Sequence, residues 1–190
     1  EFMKAAIAFP NSLEVRQKLW GTIVKRTVDY VLSNSEFTTE RMLACHFPFT
    51  RIVKVRGGVY VDECENLVAT RTTLRAYYDD LLGTAQKTLI VVAARLVEFK
   101  GIDLLIAAIR QHPQREKLCL VIIGDGPLRS NLEGACIGID VHFIGKQSEE
   151  NVLKLLTAAD IVCNPSILYK KESGQDYYIH TETMGRTMLE

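Results

Sequence analysis

Apolar runs and apolar stripes alternate along the second half of the chain. Thr88 to Ala94 (TLIVVAA) is continuously apolar, the pattern of a strand buried on both faces of a parallel sheet. Ile102, Leu105, Ile106 and Ile109 then recur at helical spacing, which predicts an amphipathic helix from Gly101 to Arg110. Leu118 to Ile123 (LCLVII) is a second buried strand, stopped by the turn sequence Gly124-Asp-Gly-Pro127. Leu128 to Cys136 reads as a short helix and Val141 to Ile144 as a third strand, ended by Gly145. Ser148 can cap a helix whose stripe is Val152, Leu155, Leu156 and Ala159. Asp160 leads into a last strand, Ile161 to Asn164, which Pro165 stops. This alternation predicts an α/β fold, a Rossmann-like parallel sheet with helices on both faces.

The first third carries a shorter version of the same beat. A helix is expected over Val15 to Val28, a strand over Tyr30 to Leu32, a helix over Thr38 to His46 and a strand over Ile52 to Val55. The pattern weakens between Asp62 and Lys87, where a mostly polar stretch keeps helical character in Leu74 to Leu82. The predicted organisation is therefore a first α/β piece over 1–62, a linker over 63–87 and a second α/β domain over 88–190.

Composition narrows the classes of function. The formal net charge is zero, so nothing favours nucleic acid or an anionic membrane as a partner. The five cysteines form no CxxC pair and stand at no zinc-ligand spacing with histidine. They read as buried reduced thiols, which favours a reducing compartment, and so a cytoplasmic location. No apolar run approaches the ~20 residues that span a bilayer, and no signal peptide is visible. Glu1-Phe2 before Met3 has the look of a cloning scar, and Leu189-Glu190 could be one too.

Candidate chemistry gathers where the strands end. In an open parallel sheet, ligands bind beyond the carboxyl ends of the strands. Arg95 and Lys100 follow the first strand of the second domain, and two fixed cations can neutralise a diphosphate. They fit a solvated basic loop as well. The turn at Gly124 and the pair Gly145-Lys146 end the next two strands on the same edge. At the C-terminus, Glu182-Thr-Met-Gly-Arg-Thr-Met-Leu-Glu190 places two carboxylates around a turn at Gly185 and a helix start. A helix start offers free N–H groups and a positive dipole end. Carboxylates for sugar hydroxyls around a phosphate-binding centre suit a nucleotide sugar.

Arg95 to Gly101, the VIIGDGP strand and turn, Val141 to Gly145, Ala-Ala-Asp160, Pro165-Ser166 and the E-x7-E from Glu182 to Glu190 resemble, in order and spacing, glycosyltransferase family 4. This is the group 1 family of retaining enzymes with the two-domain GT-B fold. The resemblance runs from about Leu89 to Glu190; Asp29 to Ser35 and Val55 to Val59 resemble the last strands of the acceptor-side domain. It implies a partial GT-B nucleotide-sugar domain preceded by a remnant of the acceptor-side domain. It implies that Arg95 and Lys100 hold the donor diphosphate, that Glu182 contacts the transferred sugar and that Glu190 accepts the ribose hydroxyls. Backbone near Met184, Gly185 and Arg186 would meet sugar and phosphate, while the loops at Gly124 and Gly145-Lys146 would line the nucleoside. No metal or other cofactor is expected for the chemistry. The partners implied are the nucleotide sugar and a sugar, glycolipid or glycoprotein acceptor, the latter two met at the cytosolic face of a membrane.

The sequence departs from the family over Ile167 to Thr181, a polar insertion that reads as a mobile surface loop. Two other readings stay open: a non-catalytic nucleotide- or partner-binding subunit of transferase ancestry, and a sugar-nucleotide 2-epimerase, to which the Arg-x4-Lys-Gly and E-x7-E motifs are a poor match. The resemblance also implies a piece of a longer enzyme. From that follow two expectations: little transferase activity alone, and self-association through a sheet edge at Ile161 to Asn164.

Overall fold

The computed structural model describes residues 22–55, 61–173 and 176–180. The described residues divide into two compact units, one containing residues 22–55, 168–173 and 176–180, the other residues 61–167. Among the described residues, no helix is long and apolar enough to cross a membrane.

In the first unit, β1 (Val31–Ser33) pairs in parallel with β2 (Ile52–Lys54), joined through helix α1 (Glu36–Ala44). The helix begins two residues earlier than its apolar pattern suggests, because the Ser35 hydroxyl accepts the Thr38 N–H and caps it. Buried Ser33 and Thr39 share a hydroxyl hydrogen bond of 2.8 Å, so the polar pair between strand and helix is satisfied. A helical turn over 22–27 ends in carbonyls that Arg51 collects: its guanidinium donates to Lys25, Val28 and Asp29.

The second unit opens with two helices, α2 (Val61–Val68) and α3 (Arg71–Leu82), within the stretch that reads as polar in sequence. Gly83 ends α3 in the left-handed conformation, as a helix stop requires. Then follow β3 (Thr88–Ala93), α4 (Ile102–Gln111), β4 (Leu118–Ile123), α5 (Arg129–Ala135), β5 (Asp140–Gly145), α6 (Glu149–Ala158) and β6 (Ile161–Val162). The four strands form one parallel sheet in the order β5-β4-β3-β6. The sequence reading of β3, α4, β4, α6 and its Ser148 cap holds to within about two residues. The last strand is shorter than expected. Among the described residues it pairs with β3 alone, through Ile161 and Val162, and one further bond runs from the Cys163 N–H to the Val91 carbonyl.

Strand alternation divides the core. Leu89, Val91, Cys119, Val121 and Ile123 face Tyr78 of α3 and Leu155 and Leu156 of α6. Ile90, Val92, Leu120 and Ile122 face Ile102, Ile106 and Ile109 of α4 and Leu132 of α5. Helices cover both faces, which explains why β3 and β4 are apolar throughout.

The described part of Ile167 to Thr181 holds regular structure that its polarity does not suggest. Within it, β7 (Tyr169–Ser173) and β8 (Asp176–His180) pair antiparallel from Tyr169↔His180 to Ser173↔Asp176. A hairpin needs only its ladder and a short turn, so polar strands form one without the apolar alternation that marks a buried strand.

Asp160 ties the start of β3 to the end of α6. Its carboxylate accepts the Leu89 N–H at 2.8 Å and pairs with Arg75, while its own N–H returns to the Leu89 carbonyl at 2.9 Å. Burial by itself would raise this carboxyl, but the Leu89 N–H, then Arg75 and Arg71, outweigh it and hold it below its ordinary value of about 3.8. A carboxylate held low in the folded state contributes stability that is complete above the ordinary value and is lost as pH falls through the folded one. Asp160→Asn should therefore destabilise the chain by about 1–2 kcal/mol near neutral pH, the low end for a bond to a charged group because part of the carboxylate is in water. In urea unfolding, the deficit relative to the unmodified chain should shrink between about pH 5 and about pH 3; a deficit independent of pH would contradict this role.

Candidate functional site

The strand order fixes where a ligand can enter. The chain lays down β3, β4 and β5 side by side, then crosses back to place β6 on the other flank of β3. Ligands of open α/β sheets bind beyond the carboxyl ends of the strands, near such a reversal. The loops after β3, β4 and β5 border an open pocket there of about 290 Å³, lined in part by Ala94 and Arg95, Gly124 and Asp125, and Lys146 and Gln147. That volume is at the lower end for small-molecule sites, roughly 300–1,000 Å³. It admits one compact part of a ligand and leaves the remainder along the strand ends.

Glycines let the loops come this close. Gly124 has φ +130°, and a Cβ on it would stand 2.0 Å from the Ala94 carbonyl oxygen. A Cβ on Gly126 would meet the Leu96 carbonyl oxygen at 2.4 Å. Backbone bonds then lace the loops together: Ala94 N–H to Ile123 carbonyl, Leu96 N–H to Asp125 carbonyl, Leu128 N–H to Leu96 carbonyl, and Gly124 N–H to Gly145 carbonyl. The register of β5 shifts opposite the Ile122/Ile123 step, so Ile144 is an extra residue before Gly145. Such a bulge redirects the chain that follows it. The Ile144 carbonyl accepts the Gln147 side-chain amide at 2.8 Å, which steadies the loop carrying Lys146.

The cations after β3 share one aromatic ring. The Arg95 guanidinium carbon lies 5.9 Å from the Phe99 ring centroid and the Lys100 ammonium 5.7 Å from it. Arg95 is exposed, and Lys100 is half-buried. Phe99 is also held from behind, where its carbonyl accepts the Ile167 N–H at 2.9 Å. Gly101, φ +62°, passes so near β6's exit that a Cβ would lie 2.3 Å from the Pro165 carbonyl oxygen. The Arg95 to Gly101 loop is thus clasped to the segment after β6, at the reversal of the sheet.

The structure accordingly brings Arg95, Gly124 and Lys146 together on one cavity. Gly145 stands behind it as the acceptor for Gly124, and Lys100 flanks Arg95 outside the lining. Glu182, Met184, Gly185, Arg186 and Glu190 lie outside the described residues. Sequence reasoning missed Phe99, Asp125 and Gln147. Phe99 had a signal, an aromatic residue between two cations in one loop. Asp125 had only its place in a common turn, where its carboxylate accepts the Gly126 N–H at 2.7 Å.

Comparison with known proteins places the fold and the family. Residues 80–190 match the family described as glycosyl transferases group 1. An uncharacterised glycosyltransferase of Methanocaldococcus jannaschii is 35% identical over 83 residues, covering 42% of this chain and 21% of that protein. Among solved structures, HepE of Anabaena in complex with UDP and glucose superposes with a TM-score of 0.68 at 19% identity, covering 80% of this chain and 42% of its own. A glycosyltransferase from Rickettsia africae gives a TM-score of 0.63 at 18% identity, covering 84% and 43%. The chain thus spans about two-fifths of the length of these solved relatives and about one-fifth of the curated one. At such identities the superpositions speak for the fold alone, and they bear out the Rossmann-like, GT-B reading of the sequence. With more than half of its residues matched to the family, this chain belongs to the group 1 glycosyl transferases.

Proposed function

We propose that this chain binds a nucleotide-sugar donor and serves a retaining transfer of a hexosyl group to a hydroxyl acceptor. The observation that carries the reading is the cavity at the ends of β3, β4 and β5, which gathers Arg95, Gly124 and Lys146. The nucleoside lies in the cavity against the Gly124 and Lys146 loops. The diphosphate runs along the strand ends to Arg95 and Lys100. Arg95 has the fork geometry for two phosphate oxygens, and Lys100 adds a point charge. The nucleotide-bound form of the Anabaena relative, with UDP and glucose, supports a donor of this class.

In this reading Glu190 accepts the ribose hydroxyls and Glu182 contacts the transferred sugar. The backbone of Met184, Gly185 and Arg186 meets sugar and phosphate. The bond between sugar C1 and the phosphate oxygen breaks while the acceptor oxygen bonds to C1 from the same face. The acceptor proton passes to a phosphate oxygen of the departing nucleoside diphosphate. Arg95 and Lys100 offset the charge that grows on that leaving group, so the chemistry needs no metal ion. The acceptor is a sugar, glycolipid or glycoprotein hydroxyl.

Binding of UDP, GDP and ADP, measured by calorimetry, tests the reading. Arg95→Ala should weaken the preferred nucleotide about ten- to hundredfold, the worth of charge-assisted bonds of about 1.5–3 kcal/mol. Lys146→Ala, at an exposed position, should cost only about two- to fivefold. Equal affinities for all three proteins, or no nucleotide bound by any, would overturn the site.

Phe99 acts through the two cations beside it. Phe99→Leu should weaken nucleotide binding about two- to fivefold, since each exposed cation–ring contact is worth about 0.5–1 kcal/mol. Phe99→Tyr should restore it. An unchanged affinity in Phe99→Leu would show that the ring does not position them.

A further inference from the structure

A second cluster of side chains stands at the opposite, amino-terminal end of the same sheet. Cys119, the second residue of β4, pairs in register with Asp140, the first residue of β5. His142 follows two residues later, so strand alternation puts it on the same face as Asp140. A thiol sulfur, a carboxylate oxygen and an imidazole nitrogen from these three lie within 4.8 Å of one another. Cys119 forms a fully buried floor. Asp140 and His142 keep 29% and 31% of their side-chain surface in water, so the cluster lies near the surface although His142 Nε2 itself is covered.

The local bonding leaves this cluster incomplete. Lys87 takes one Asp140 oxygen, Oδ2, at 2.7 Å. The other, Oδ1, lies 3.3 Å from His142 Nε2, but out of hydrogen-bonding alignment. His142 Nε2 is therefore a buried ring nitrogen with no hydrogen-bond partner. Such groups are rare, and each carries a cost that a ligand would remove. Cys119 is not a nucleophile here. Burial, then the Asp140 charge, pushes its thiol up to about 12.

We propose that Cys119, Asp140 and His142 form a site for one zinc-class divalent ion, bound through sulfur, carboxylate oxygen and imidazole nitrogen. A thiolate and an imidazole select zinc or cobalt over magnesium or calcium. Zinc bonds of about 2.0–2.3 Å place tetrahedral ligand atoms roughly 3.3–3.8 Å apart, so closing the site needs side-chain movements of about 1 Å. The thiol proton leaves to water as the sulfur–metal bond forms, and a water molecule fills the fourth position. Lys87 stays on Asp140 Oδ2 and orients the carboxylate from outside the metal's own ligands. The cluster sits in the first halves of β4 and β5, whereas the proposed nucleotide cavity follows their last residues. The ion therefore pins the edge strand β5 to β4 and takes no part in transfer.

Titration of the metal-free chain with Co²⁺, followed by Zn²⁺, tests the site. One Co²⁺ per chain should bind with a thiolate-to-cobalt charge-transfer band and tetrahedral visible bands, and Zn²⁺ should abolish both. Cys119→Ala should lose the charge-transfer band. His142→Gln should lose the stoichiometric binding, and its half-buried position keeps the test decisive if Cys119→Ala does not fold. No cobalt bound, cobalt bound without the thiolate band, or a band surviving in either variant would overturn the proposal, the last by assigning it to another cysteine.

Discussion

The pocket at the strand ends depends on two peptide planes passing each other with no side chain between them. Where Gly124 crosses Ala94, any Cβ would fall 2.0 Å from a carbonyl oxygen. The closeness lets the ends of β3 and β4 bond to each other and, through the Gly124 N–H, to Gly145 at the end of β5. Three strands that could splay apart instead finish as one laced rim. Only then do Arg95 and Lys146, fifty-one positions apart in sequence, border one cavity. The cations supply attraction for phosphate, but the glycines supply the geometry in which that attraction can add up.

Ion pairs hold the amino-terminal ends of the sheet, and several cations stand at its carboxyl ends. Arg95, Lys100 and Lys146 collect at the carboxyl ends of the strands. Asp160 and Asp140 lie at the amino-terminal ends, each held by basic partners: Arg71 and Arg75 for the one, Lys87 for the other. Pairing at the amino-terminal ends keeps the strand starts in place, and the carboxyl ends carry the cations proposed to meet a ligand. The two ends thus divide the work of stability and binding.

Most of the second unit is legible in the sequence because burial on both sheet faces writes itself as apolar runs. Leu89 to Val92 and Cys119 to Ile123 cannot be anything but interior. The placement of Arg95, Gly124 and Lys146 just beyond the ends of their strands was legible too, since each follows closely on an apolar run. What escaped follows a different physics. Phe99 matters through the direction of a ring, the bulge at Ile144 through one extra residue in a ladder, and the β7–β8 hairpin through backbone pairing of polar residues. None of these leaves a hydrophobic period behind. The Cys119, Asp140 and His142 cluster escaped for a related reason. Its spacing of more than twenty residues becomes contact only when β4 and β5 pair in one register.

The central claim, that the rim of β3, β4 and β5 is where a nucleotide sits, is open to direct mapping. Amide chemical shifts of the ¹⁵N-labelled chain would be followed during titration with UDP, GDP or ADP. The account predicts that the largest changes fall on the amides around Ala94–Arg95, Gly124–Gly126 and Gly145–Gln147, with those at the starts of β4 and β5 unmoved. Saturable binding whose shifts cluster elsewhere, with those three loops silent, would contradict it.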